Sequence, residues 1–176
     1  RYDYFFFPDD DIQMDTAAIN ALFEAMRRYR LQIAQPVLSM SYYTWRHTLQ
    51  DRYCKLRYIN FVEMMVSCFS REALNKVLFT FNENETGWGT ETHWPVLIDA
   101  SQRDMAVIDE VSVVHTRPIQ SGQAIHNREL AAYLRKYNLS TKVLHYDCLP
   151  SESVYCCDRN TFRELCKTLG YWIGTE

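Results

Sequence analysis

A chain of 176 residues with 47% hydrophobic and 14% aromatic residues, five Gly and five Pro is one domain of well-packed globular sequence without low-complexity segments. Its formal net charge of −3 excludes the basic signature of a nucleic-acid partner, and no run of about 18 apolar residues offers a membrane span. The chain opens at Arg1, without an initiator Met or a signal peptide, and enters a strand-like run directly, so an N-terminal portion is expected to be missing.

Residues 2–7 form a short, continuously apolar run, which predicts a strand buried on both faces. Asp9, Asp10 and Asp11 follow it at once. Asp15 or Thr16 then caps a helix whose apolar positions Ile19, Leu22, Phe23 and Met26 recur at helical spacing. A second strand over 31–37 carries Pro36, which places its end, or a sheet edge, there. Residues 39–57 are polar and aromatic and read as a long surface loop.

Residues 59–69 (INFVEMMVSCF) read as a third strand, and Ser70 caps a helix with Leu74, Val77, Leu78 and Phe81. The GWG of 87–89 is a tight turn, and Thr90 caps a short helix that runs to about Ile98. Residues 107–114 are strand-like. Two amphipathic helices close the chain, one with Leu130, Tyr133, Leu134 and Tyr137, the other with Phe162, Leu165, Cys166 and Leu169. Alternating strands and helices give the class α/β.

Six cysteines (Cys54, Cys68, Cys148, Cys156, Cys157 and Cys166) show neither a CxxC pair nor zinc-ligand spacing with histidine. They read as small buried hydrophobes in a reduced, cytoplasmic protein, or one associated with a membrane through a missing segment or a partner. The sequons at Asn84 and Asn138 are too common by chance to argue for secretion.

Three carboxylates after a strand pose an electrostatic problem, because like charges repel and desolvation penalises each of them. Ligands of open α/β sheets gather at strand ends. Asp9 and Asp11, two apart on an extended backbone, point to one side and suit a hard cation such as Mg²⁺ or Mn²⁺. The alternative is a solvated acidic loop favoured by the N-terminus of the following helix.

An Asp-x-Asp strand end, then FVEMM with FSREAL, then GWGTE, then VVHTRP, resembles the GT-A-fold, metal-dependent, nucleotide-sugar glycosyltransferases. More narrowly, it is similar to an uncharacterised family of that clan with a VEMM…FS strand and a WG-x-acid turn. The resemblance spans about Tyr2 to Pro118 and leaves 119–176 uncovered. It implies a GT-A-like mixed sheet flanked by helices, lacking the nucleotide-binding part that precedes Asp-x-Asp. Residues 1–118 would be the metal and acceptor half of a catalytic domain, and 119–176 its C-terminal helical extension.

The same resemblance implies an enzyme that moves a sugar from a nucleotide-sugar donor to a glycan or other hydroxyl acceptor, with Mn²⁺ or Mg²⁺ as cofactor. Asp11 would be the main metal ligand, Asp9 would approach the metal or the ribose, and Asp10 lies in an alternative register of the motif. His115 would be a further ligand. Arg117 would offset pyrophosphate charge. For His115 and Arg117 the plain alternatives are a strand-end histidine and a surface ion pair.

Glu91 would be the base that takes the acceptor proton. Its helix-N-terminal position is expected to lower its pKa, and a dipole-stabilising role is the alternative. Trp88 would stack on a sugar face. Glu63, alone in an apolar stretch, should face the cleft or be paired, and there it could bind donor or acceptor hydroxyls. Two other function classes stay open: a metal-dependent phosphohydrolase or nuclease, and a non-catalytic sugar-binding domain.

Overall fold

The structure is a computed structural model that describes residues 1–39, 42, 45–118 and 123–152. The expected helix over Phe162 to Leu169, and with it Cys156, Cys157 and Cys166, lies outside the described residues. So does 119–122, where the expected division of the domain falls.

The elements run in the order β1 (Tyr4–Pro8), β2 (Ile12–Gln13), α1 (Thr16–Tyr29), β3 (Ile33–Leu38), β4 (Cys54–Ile59) and β5 (Val66–Ser70). They continue with α2 (Arg71–Val77), α3 (Trp94–Leu97), β6 (Met105–His115), α4 (Gln123–Tyr137) and β7 (His145–Pro150). The sheet order is β1-β5-β3-β6-β4-β7, with β2 pairing the far end of β6. Among the named strands of the described residues β3 and β6 run parallel and the other pairings are antiparallel, with one isolated parallel bridge between Leu38 and Leu49. The class is therefore α/β, with a mixed open sheet flanked by helices.

Alternation along the central strands sends side chains to two cores. Ala34, Cys68, Ala106, Leu56 and Ile108 pack under α1 through Leu22, Ala25 and Met26. Ile33, Phe69 and Met105 pack on the other face against Leu74 and Val77 of α2 and Trp94 of α3. On the α1 side Ala34, Cys68 and Ala106 are small and leave room for the helix beside Leu56 and Ile108, and bulky residues fill the opposite layer. Two of the expected caps form, Asp15 accepting from the Ala18 amide at 2.7 Å and Ser70 from the Ala73 amide at 3.1 Å, whereas Thr90 caps no helix and lies in the 3₁₀ turn Thr90–Thr92 ahead of α3.

Several expectations are corrected. β1 is an edge strand, half-buried rather than covered on both faces, because it pairs only with β5. β3 is a fully buried inner strand despite Pro36. Its register against β6 jumps between Pro36 and Val37, from Ile108 to Ser112, so the imino acid sits at a bulge where ladder bonding is already broken.

The loop expected over 39–57 contains a 3₁₀ turn at Arg46–Thr48 and the start of β4. The strand expected over 59–69 is two strands, β4 ending at Ile59 and β5 beginning at Val66, with 60–65 a loop between them. α2 ends at Val77, and Leu78 is exposed on a following 3₁₀ turn.

The same β6 bulge holds Asp109, which takes Arg57 Nε at 2.8 Å and Nη2 at 2.9 Å with both side chains buried. Arg57 also donates to the carbonyls of His47 and Leu49, and Asp109 accepts from the Asp51 amide, so the pair ties the 46–51 segment to the sheet. Cys54 and Cys148 form a disulfide between β4 and β7, which corrects their reading as reduced thiols. Cys68 is a free, buried thiol whose pKa burial pushes up to about 12. Among the described residues no helix is long and apolar enough to cross a membrane.

Candidate functional site

The three acids occupy a turn between β1 and β2. The Asp9 amide donates to the Met65 carbonyl at 2.8 Å, and the Ile12 amide donates back to the Asp9 carbonyl at 3.2 Å. β2 lies antiparallel to the end of β6, pairing Ile12 with His115. The Thr116 amide and hydroxyl both donate to the Asp11 carbonyl, at 2.9 and 2.8 Å. Asp11 and His115, 104 residues apart, are thereby held by backbone pairing rather than by side-chain chance.

His115 is buried at the last position of β6. Its Nδ1 lies 3.2 Å from the Tyr42 carbonyl, and its Nε2 lies 3.2 Å from Asp11 Oδ2. A carbonyl only accepts, so Nδ1 carries the proton in that bond. In a neutral imidazole Nε2 is then a lone pair facing a carboxylate, and two acceptors at 3.2 Å need a positive charge, either a proton or a cation.

Arg117 supplies part of that charge. Its Nη2 is 2.6 Å from Asp10 Oδ1 and its Nε is 3.2 Å from Asp11 Oδ2. Asp9 makes no side-chain hydrogen bond among the described residues. Its carboxyl is raised above the ordinary range, first by desolvation at the cleft wall and then by Asp11. Among the described residues no group of three or more His, Cys, Asp or Glu is arranged around one metal position. The two atoms that could serve as cation ligands are Asp11 Oδ2 and His115 Nε2, a mixed oxygen and imidazole pair rather than the all-oxygen set that Mg²⁺ prefers.

Glu63 lies in the 60–65 loop, not in a strand as expected, and is buried. The buried Gln35 of β3 accepts from the Glu63 amide at 2.7 Å and donates to the Pro36 carbonyl at 3.2 Å, which anchors this loop to the sheet.

The Trp88–Glu91 turn is shaped by Gly87 (φ 76) and Gly89 (φ 96), conformations that side chains resist. Asn84 locks it by accepting from the Gly87 amide at 2.6 Å and donating to the Trp88 carbonyl at 3.0 Å. Glu91 is buried at the start of the 3₁₀ turn Thr90–Thr92, and Gly89 N–H donates to its Oε2 at 3.1 Å. Its pKa runs opposite to expectation. Burial pushes the carboxyl up to about 7, against the weaker pull of its own and the Gly89 amides.

All eight residues singled out from the sequence line one cleft of about 300 Å³: Asp9, Asp10 and Asp11 with His115 and Arg117, and Glu63, Trp88 and Glu91. Trp45, Thr86 and His126 also line it and escaped the sequence reading. Trp45 stands in the stretch read as loop. His126 stands on α4, where it looked like one position of an amphipathic helix.

α4 grips the GWG turn along its length. Glu129 accepts from the Thr86 amide and hydroxyl at 2.9 and 2.6 Å, and Tyr133 O–H meets His93 Nδ1 at 3.0 Å. Leu130 and Tyr133 pack against Gly89. A helix that had no place in the resemblance therefore builds one side of the site. No family model, curated protein or solved structure matches the chain.

Proposed function

We propose that this protein is a metal-dependent glycosyltransferase that moves a sugar from a nucleotide-sugar donor to an acceptor hydroxyl, on a GT-A-like sheet. One observation carries the reading. The Asp11–His115 pair, with its tautomer set by the Tyr42 carbonyl, presents two acceptors to a cation in the same cleft as a buried carboxyl whose pKa lies near 7.

In this reading Asp11 and His115 hold Mn²⁺ or Mg²⁺, and Asp9 shapes the site beside them. The bound ion would neutralise charge on the donor's diphosphate. Arg117 moves from Asp10 and Asp11 onto a phosphoryl oxygen, for which its planar fork is suited.

Glu91 takes the proton of the acceptor hydroxyl as that oxygen bonds to the anomeric carbon and the bond to the diphosphate oxygen breaks. A base with a pKa near the working pH combines ionised population with proton affinity, which burial of Glu91 achieves. Glu63 is placed to bind hydroxyls of donor or acceptor. The Cys54–Cys148 disulfide supports an oxidising compartment, in place of the cytoplasmic expectation that rested on reduced cysteines.

The test is thermal shift with a panel of nucleoside diphosphates, with and without Mn²⁺. Mn²⁺ alone should stabilise slightly, nucleotide should add stabilisation only when Mn²⁺ is present, and that added shift should vanish in Asp11→Asn. Absence of any nucleotide-dependent shift refutes the reading. Phosphoester hydrolysis without an acceptor would assign the cleft to a phosphohydrolase instead.

A further inference from the structure

His126 stacks its imidazole on the Trp88 indole, with ring centroids 4.7 Å apart and planes within 15°. Trp45 approaches Trp88 from another segment, at 6.3 Å and 47°. The three rings form one wall of the cleft. His126 Nδ1 is buried and has no hydrogen-bond partner. Such an atom costs about 1–3 kcal/mol when left unsatisfied, so a folded protein keeps it where something else completes it.

The wall is rigid because α4 is fixed to the turn that carries Trp88, through Glu129 on Thr86 and through the packing on Gly89. An aromatic wall with one unpartnered hydrogen-bonding nitrogen matches a pyranose ring, whose C–H face is apolar and whose rim carries hydroxyls. A diphosphate suits this wall poorly, since Arg117 and the Asp11–His115 pair proposed to hold the metal belong to the acidic turn. Trp88 and Glu91 line the same cleft, so a ring seated on the wall shares it with that carboxyl.

We propose that the Trp45–Trp88–His126 wall is the acceptor subsite, and that the acceptor is a saccharide whose hydroxyl is hydrogen-bonded by His126 Nδ1. This deepens, and rests on, the glycosyl-transfer reading of the same cleft. His126 acts here as a binding and positioning residue, and Glu91 remains the base.

The experiment titrates the protein, without nucleotide, with methyl glycosides of glucose, galactose, mannose and N-acetylglucosamine at millimolar concentration, followed by ligand-observed NMR. His126→Phe keeps a stacked ring and removes the nitrogen, so it should stay folded and bind about tenfold more weakly. His126→Asn, whose amide reaches the Nδ1 position, should recover part of the loss and serves as the reporting variant if the Phe protein is unstable.

Binding by the wild type with the expected order of variants supports the subsite. Binding unchanged in His126→Phe and His126→Asn overturns it, and so does the absence of glycoside binding by the wild type. The nucleoside diphosphate and Mn²⁺ thermal shift, repeated on His126→Phe, should be unchanged. Failure of the subsite is thereby separated from failure of the transferase reading.

Discussion

Arg117 bridges two of the acids that follow β1, reaching Asp10 Oδ1 through Nη2 at 2.6 Å and Asp11 Oδ2 through Nε at 3.2 Å. The guanidinium therefore stands where it competes with a cation for Asp11. Replacing Arg117 by Ala should tighten binding of bare Mn²⁺ by up to about fivefold, the scale of a half-exposed ion pair. The same change should weaken binding of nucleoside diphosphate with Mn²⁺, because the phosphate partner is gone. Isothermal titration of both ligands reads the two opposite signs. A loss of bare Mn²⁺ affinity would show that Arg117 organises the acids rather than competing for them.

The buried Arg57–Asp109 pair makes a second prediction. Arg57→Leu strands Asp109 inside the sheet, and breaking such pairs costs about 3–5 kcal/mol. Substituting both partners with apolar residues should recover much of that loss in urea denaturation. Trp45, just before the 46–51 segment that Arg57 ties down, should become more accessible to a quencher in the single variant.

The contrast between these two sites shows what was legible in the sequence. The acids, His115 and the GWG turn stood out because each marks a strand end or a positive-φ glycine, and the chemistry of strand ends is local. Their convergence needed only the sheet. Arg57 fell at the end of the stretch read as a surface loop, because its compensating Asp109 lies on another strand, at a bulge that no periodicity announces. The same blindness turned the start of β4 into a loop, although Leu56 and Tyr58 alternate inward around it.

Other features fail for similar reasons. Pro36 argued for an edge, and only the register shift beside it makes a central position tolerable. The Cys54–Cys148 disulfide joins positions 94 residues apart, and partner choice is set by the β4–β7 pairing rather than by spacing. The pKa of Glu91 was misread because the sequence displays the helix start that lowers it and hides the burial that raises it.

Gly89 is a point where α4 and the GWG turn meet. Its φ of 96 is strained for any side chain, and an added Cβ would lie 3.1 Å from Leu130 Cδ1, 3.4 Å from Tyr133 Cβ and 3.5 Å from the Leu130 Cα. Gly89→Ala should destabilise the fold by about 1–3 kcal/mol. It should also lower turnover, because the amide bonded to Glu91 shifts with the turn. A stable Gly89→Ala protein with normal turnover would mean that the turn tolerates movement that the site does not feel.

Glu91 supplies the last prediction, in stability and in activity together. Its carboxyl sits near 7 in the folded protein against an ordinary 4.5, so the folded state binds the proton more tightly than the unfolded chain does. The stabilisation from that proton is complete below about 4.5 and is lost as pH rises through about 7. A shift of this size corresponds to a pH-dependent change on the order of 3 kcal/mol. Glu91→Gln removes the titration. The variant should therefore be more stable than wild type at about pH 8 and nearly equal at about pH 5, with denaturant midpoints as the measurement. Activity should move the other way. If Glu91 is the base, wild-type kcat/KM should rise with pH through about 7 as it ionises. The Gln variant should lose about 10²–10⁴-fold in kcat and the rising limb with it, while donor affinity holds. A Gln variant with the wild-type stability profile would deny the buried, raised carboxyl. One with near-normal kcat would leave Glu91 as a structural acid and move the search for the base to Glu63.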